Sequence, residues 1–367
     1  MRTGRDRSYR PRRGGATGMQ MNIHAKRIKD LQRLLAKSGL DALVVSRTVD
    51  IGFLTGYHMD DYLLLVSRKG AWAFVAKMLL DDFTAKAPFV EPVVPEGGME
   101  EAVLALRRKA GLKKTAFDPE NETYTRGTLW RRNGFVEKGG LVGALRAVKE
   151  GEEIENLRKS CRIAARAFGV VKPRIRTGRT ELSVYRELED VMQSMGAKGP
   201  SFNLIVGFGP NSALPHHVTS ERRLKNNEAV LLDYGCVYNN YCSDITRTYF
   251  HGRPTEEFRK VYSTVAASQK AGLAKVKAGV NSMAVDKACR DVISDAGYGQ
   301  YFIHGTGHGL GLEIHEFPRL NTRVSVALRA GMTVTVEPGI YLQGKFGVRI
   351  EDSVLVTGDG CEILTKR

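Results

Sequence analysis

Apolar residues recur along the chain with two different periods, and the changes of period mark out its elements. Over residues 22–37, Ile23, Ile28, Leu31, Leu34 and Leu35 keep helical spacing. DALVVS, IGFLTGY, YLLLVS and GAWAFVA follow, and read as strands separated by polar or glycine breaks. A helix over 99–110 and a strand over 114–117 continue the alternation. After a glycine-bounded junction, Glu152–Val171 sets Ile154, Leu157, Cys161, Ala164, Ala165 and Phe168 on one helical face, with glutamates in its first turn. Thr180 caps a helix running to Met195, and Thr255 and Ser282 cap two more. FNLIVGFGPNSALPHH leads from a strand into a loop ending at His216 and His217. The pattern predicts an α+β chain in four parts: a basic tail at 1–21, a small α/β domain at 22–140, a linker at 141–151, and a larger domain at 152–367. In the larger domain helix pairs alternate with antiparallel strands.

Two hairpins in the larger domain carry carboxylates inside apolar strands. Residues 229–250, AVLLDYGCVYNNYCSDITRTYF, turn at Asn239-Asn240, a pair suited to the positive φ angles of a two-residue turn. That turn sets Asp233 opposite Thr246, with Asp244 diagonal to Asp233 on the same face. In residues 332–356, MTVTVEPGIYLQGKFGVRIEDSVLV, Glu337 and Glu351 lie symmetrically about Gly344 and would face each other. Between the hairpins lies HGTGHGLGLEIHE, with His304, His308 and His315. Carboxylates crowded in apolar strands repel one another and lose hydration unless cations compensate. Four carboxylates and an imidazole make a hard-oxygen site for two divalent ions, manganese or cobalt rather than structural zinc.

Composition narrows the picture further. The chain of 367 residues has 42% hydrophobic and 26% charged content, ordinary for a globular protein with two cores. Its net charge of +16 includes six arginines and one aspartate, +5, in residues 1–21, leaving +11 elsewhere. No basic run in the body is interleaved with stacking aromatics, so a solvated basic surface is expected and nucleic acid is not. Five cysteines form no CxxC pair, which points to reduced thiols and a cytoplasmic protein. No apolar run reaches the ~18 residues of a membrane span. HExxH, GxSxG and GxxxxGK[ST] motifs are missing, and GTGHGLG is followed by another His-rich segment and lacks the acidic residue of a dinucleotide site. His58, Asp60 and Asp61 read as a surface loop.

ALPHH, LLDYG, CSDITRT, HGTGHGLGLEIHE, VEPGIY and GVRIEDSVLV resemble the signature segments of the pita-bread metallopeptidases, the creatinase, aminopeptidase P and prolidase family. GLDALVV and IGFLTGY are similar to its creatinase-like N-terminal domain. The resemblance implies a pita-bread catalytic domain with two-fold internal pseudo-symmetry. It implies that Asp233 and Asp244 hold one ion and that Asp244, His308, Glu337 and Glu351 hold the other, Asp244 and Glu351 bridging. His216, His304 and His315 match the substrate-side histidines, His304 and His315 as hydrogen-bond donors to the substrate carbonyl. Tyr341 and Arg349 match residues packed around the metal carboxylates, and His217 is left structural. The implied activity is that of an Xaa-Pro aminopeptidase acting through a metal-bridging hydroxide, with Glu337 as proton shuttle; the alternatives are an Xaa-Pro dipeptidase or a non-catalytic binding protein. The implied substrate is a peptide with proline second, and the implied assembly is a homodimer.

Overall fold

Side-chain caps fix where several helices begin in the computed structural model, which describes residues 22–366, so that the tail read at 1–21 lies outside the described residues. Asn22 accepts the His24 N–H ahead of α1 (Ile23–Lys37), satisfying a donor the first helical turn leaves without a partner. The described chain divides into two compact units between Gly139 and Gly140. In the first, β1 (Ala42–Val45), β2 (Leu63–Ser67), β3 (Ala71–Phe74), β4 (Glu91–Val93), β5 (Thr115–Phe117) and β6 (Val136–Glu137) form one mixed sheet in the order β4-β3-β2-β1-β5-β6. Besides α1 the unit has α2 (Thr48–Thr55), α3 (Leu80–Lys86), α4 (Met99–Lys109) and α5 (Tyr124–Arg132). Val44, Leu65, Phe74, Phe117 and Trp130 meet in its core.

IGFLTGY, expected as a strand, forms most of α2 instead. Asp50, Ile51, Gly52, Phe53, Leu54 and Thr55 are all buried. A helix apolar on every side shows no 3.6-residue period, so a short one looks like a buried strand. Gly56, at φ 78°, ends it in the left-handed conformation.

The second unit starts with α6 (Leu141–Arg146), inside the stretch read as a linker, and continues through α7 (Glu152–Val171) and α8 (Glu181–Ser194). Next come β7 (Gly199–Pro200), β8 (Ile205–Phe208), β9 (Glu228–Tyr234), β10 (Cys236–Tyr238), β11 (Tyr241–Cys242) and β12 (Ile245–His251). A second helix pair, α9 (Glu256–Lys275) and α10 (Ser282–Asp295), precedes β13 (Gly307–Gly309), β14 (Glu316–Leu320) and β15 (Thr333–Val336). The unit closes with β16 (Gly339–Leu342), β17 (Phe346–Arg349), β18 (Asp352–Val356) and β19 (Cys361–Ile363). Helix pair followed by carboxylate hairpin thus occurs twice. Phe168, Leu188, Val206 and Leu232 pack the first half, and Val265, Val285, Val334, Ile340 and Val348 the second. Fully burying each such side chain contributes about 1.5–3 kcal/mol.

Thr180 and Thr255 cap α8 and α9 through the N–H groups of Ser183 and Phe258. The cap expected at Ser282 belongs one residue earlier: Asn281 accepts the Met283 N–H, and Ser282 turns inward to donate to the Val324 carbonyl. All five cysteines are free. Among the described residues no helix is long and apolar enough to cross a membrane.

Candidate metal centre

Both hairpins hold one register across a break, and the acidic residues sit at or next to the breaks. In the first, Asp233 pairs with Thr246 between β9 and β12, and Val237 pairs with Cys242 between β10 and β11 on the same register. Asn239 and Asn240, at φ 46° and 66°, make the turn. The ladder parts at Gly235, where a Cβ would collide with the Ser243 carbonyl, and Asp244 falls in the opposite gap between β11 and β12. In the second hairpin Val336 pairs with Asp352 and Gly339 with Arg349, so Glu337-Pro338 and Ile350-Glu351 face each other across the interruption. Pro338 has no N–H to give to the ladder. Freed there, the Glu337 N–H goes to the Thr306 carbonyl at 2.8 Å and the Glu351 N–H to the Thr246 carbonyl at 3.2 Å. The carboxylates therefore sit where both hairpins and the histidine segment are tied together.

Asp244, His308 and Glu351 bring ligand atoms within 4.8 Å of one another. His308 Nδ1 lies 3.0 Å from the Gly309 carbonyl, which can only accept, so Nδ1 carries the proton. In the neutral ring the Nε2 lone pair then faces Asp244 Oδ2 at 3.5 Å and Glu337 Oε1 at 3.3 Å. A lone pair aimed at two acceptors needs a cation between them, and a ligand histidine that donates its other N–H to a carbonyl is the usual arrangement. Asp233 Oδ1, Asp244 Oδ1 and Glu351 Oε1 are buried with no hydrogen-bond partner. Oxygens buried in this way cost several kcal/mol each unless a cation takes them up, on the order of the polar desolvation penalty. The residues fit divalent ions.

The charges agree with that fit. Burial, then repulsion from neighbouring carboxylates, pushes Asp244 and Glu351 far above the ordinary carboxylate range. Asp233 is raised as well, by burial first, although Arg349 pulls against it. Glu337 goes the other way: burial raises it, but Arg349, and His308 and His304 whenever they are protonated, pull it down, to about 2. It is also the most exposed of the four, its side chain 17% accessible against 7% for Asp244 and 12% for Asp233.

Arg349 ties these groups together. Its guanidinium donates to Asp233 Oδ2, to Thr246 Oγ1 at 3.1 Å and to the Tyr341 phenol oxygen at 2.7 Å. Thr246 in turn donates to Glu351 Oε2 at 2.7 Å. Tyr341 lies 2.8 Å from His304 Nε2, while His304 Nδ1 faces the Gly305 carbonyl at 2.8 Å. Burial lowers the His304 pKa, so the ring is neutral; Nδ1 donates to Gly305 and Nε2 accepts from Tyr341. Both nitrogens are thereby committed, and the donor role expected of His304 is not available in this arrangement. His216 and His315 make no side-chain hydrogen bond among the described residues.

His216, His304, His308, His315 and all four carboxylates line one cavity of about 680 Å³. Arg290 on α10 holds the His304 segment from behind, donating to the Phe302 and His304 carbonyls at 3.0 and 2.8 Å. His315 is set by its neighbour Glu316, whose buried carboxylate meets Arg146 and, at 3.1 Å, Lys149. Desolvation, then His308 and Arg319, lowers His315 to about 4. His58, Asp60 and Asp61 belong to the first unit, where Asp60 accepts from Thr48. Sequence reasoning missed Arg319, which also lines the cavity. The alternation of buried and exposed positions along EFPRL carried the signal, since Phe317 and Arg319 share the open face of β14.

Residues 155–358 match the model of metallopeptidase family M24, and residues 27–148 that of the creatinase/prolidase N-terminal domain. An Xaa-Pro dipeptidase of Pyrococcus furiosus is 34% identical over 344 residues, covering 93% of this chain and 98% of the relative. Among solved structures, an Xaa-Pro dipeptidase from Bacillus anthracis superimposes with a TM-score of 0.90 at 36% identity, covering 94% of this chain and 98% of its own. An X-Pro aminopeptidase from Thermotoga maritima superimposes with a TM-score of 0.82 at 32% identity, covering 92% of this chain and 97% of its own.

Proposed function

The chain belongs to metallopeptidase family M24, a pita-bread fold behind a creatinase-type N-terminal domain, and from that membership we propose that it hydrolyses Xaa-Pro dipeptides. One observation carries the dipeptide reading over the aminopeptidase first expected: Arg319 lines the cavity beside His315, on the exposed face of β14. A dipeptide ends in a carboxylate directly after proline, and a guanidinium recognises that group; a longer peptide offers only a neutral amide there. Relatives named Xaa-Pro dipeptidase support the same choice.

Divalent ions would be held by Asp233, Asp244, His308, Glu337 and Glu351, with manganese or cobalt favoured by the hard oxygen donors. When bound, such ions supply Lewis acidity toward the scissile carbonyl and an activated water near neutral pH. The chain's own groups do the rest. Glu337, ionised and open to the cavity, takes the proton released as water attacks and returns it to the proline nitrogen as the C–N bond breaks. His216 and His315, their ring nitrogens uncommitted, donate to the carbonyl oxygen as it gains charge. Arg349 fixes Asp233 and, through Tyr341, the ring of His304 on the cavity wall. Phe202, Ile205 and Val218 offer the pyrrolidine ring an apolar surface.

The test compares an Xaa-Pro dipeptide, its C-terminal amide and an Xaa-Pro-Yaa tripeptide on manganese-loaded protein. The free dipeptide is expected to be preferred by about tenfold or more in kcat/KM, and Arg319→Leu to erase that preference, since a charge-assisted hydrogen bond is worth about 1.5–3 kcal/mol. Equal turnover of all three, indifferent to Arg319, would establish the aminopeptidase instead.

A further inference from the structure

We propose that Glu181, outside the metal centre, is a positioning residue that holds the cavity loop bearing His216 in its working geometry. This rests on the hydrolase reading above, in which His216 donates to the substrate carbonyl. Between β8 and β9 the chain runs through residues 209–227 with only a 3₁₀ turn at Gly209–Ala213, and a loop that long must find hydrogen-bond partners for its backbone outside itself. One carboxylate supplies such a partner to Ser220 and also gathers side chains of the same loop. Glu181 Oε1 accepts from the Phe208 N–H and from Asn211 Nδ2, both at 2.9 Å. Its Oε2 accepts from His217 Nε2 at 2.8 Å, the Ser220 N–H at 3.1 Å and Ser220 Oγ at 2.6 Å. Five donors from four residues thus converge on one side chain that is fully buried.

The same corner docks the loop onto the start of α8. The N–H groups of Glu181 and Leu182, which the first helical turn cannot satisfy, go to the Arg222 and Ser220 carbonyls at 3.0 and 2.9 Å. His217 therefore does more than fill space. Bonded to Glu181, it fixes the peptide that joins it to His216, and His216 lines the cavity. No Arg or Lys side chain is hydrogen-bonded or paired to Glu181 among the described residues. Every hydrogen bond its carboxylate accepts comes from the loop or from the strand residue that leads into it. A residue serving only to pack α8 would not need five donors from this one segment.

The experiment is a double-mutant cycle between Glu181→Gln and His216→Ala on the full-length, manganese-reconstituted protein, with kcat, KM, bound metal and melting temperature read for each variant. The glutamine keeps the shape but turns an NH₂ toward donors. With His216 present, Glu181→Gln should lower kcat/KM about tenfold to a hundredfold, the range expected for misplacing a reacting group by about 1 Å. With His216 already removed, it should cost under about threefold more, because the two act as one unit. Metal content should stay at the wild-type level in all four proteins. Equal penalties in the two backgrounds would overturn the proposal, leaving Glu181 a purely structural residue. A wild-type rate in His216→Ala alone would instead sink the hydrolase role of His216. Should Glu181→Gln fail to fold, His217→Phe removes one of the five bonds, and the same cycle decides on the same terms.

Discussion

The phenol oxygen of Tyr341 lies 2.8 Å from Nε2 of His304 and donates its proton there, while the same oxygen accepts from Arg349 at 2.7 Å. Tyr341→Phe keeps the ring and deletes both bonds, leaving a buried guanidinium N–H and an imidazole nitrogen without partners. The loss should amount to about 1–3 kcal/mol of stability, read by thermal or denaturant unfolding. The kcat should fall as Arg349 loosens its hold on Asp233.

Removing metal should destabilise the protein, and the sign of one mutation should depend on whether metal is present. Asp244 and Glu351 are buried together and repel. After chelation, Glu351→Gln removes part of that repulsion and should melt above the wild type. With manganese restored, the wild type should gain the binding free energy of its ions and melt above the mutant. A mutant that melts lower in both states would mean that these carboxylates are not the cage.

A pH signature should come from Glu316. Its pKa lies below the ordinary 4.5, because the charges of Lys149 and Arg146 outweigh its burial. A carboxyl whose folded-state pKa is depressed adds stability above its unfolded value and loses it as the pH falls through the folded value. In chelated protein, the stability deficit of Glu316→Gln should be fully present at pH 7 and shrink steadily below 4.5. A deficit independent of pH would assign the effect to packing.

Gly235→Ala should damage the centre without touching a ligand. The new Cβ would meet the Ser243 carbonyl, which is backbone and cannot swing away. Overpacking of this kind costs about 1–3 kcal/mol, and here it pushes on the residue before Asp244. Bound manganese, counted by elemental analysis, should drop below that of the wild type.

Much of this centre was legible because antiparallel pairing is arithmetic. Once a turn is placed at Asn239-Asn240 or at Gly344, partners follow by counting, and Asp233 does face Thr246 while Glu337 and Glu351 do flank one gap. What counting could not show is that the ladders break at those gaps, since the break depends on where the Thr306 and Thr246 carbonyls lie. α2 was missed because uniform burial erases the helical period. Both nitrogens of His304 proved committed because of Tyr341, 37 positions away. The carboxylate of Glu181 reaches loop donors up to 39 positions along the chain, beyond any local pattern.

The broken ladders also set an order of events during synthesis. A nascent chain that has released its first hairpin carries Asp233 and Asp244 but lacks His308, Glu337 and Glu351. The ties from Glu337 to Thr306 and from Glu351 to Thr246 form only after the last hairpin has emerged. Because synthesis delivers the N-terminal part first, capture of a divalent ion by the proposed ligands would fall at the very end of maturation, and a product truncated after the first hairpin would offer such an ion at most two of the five.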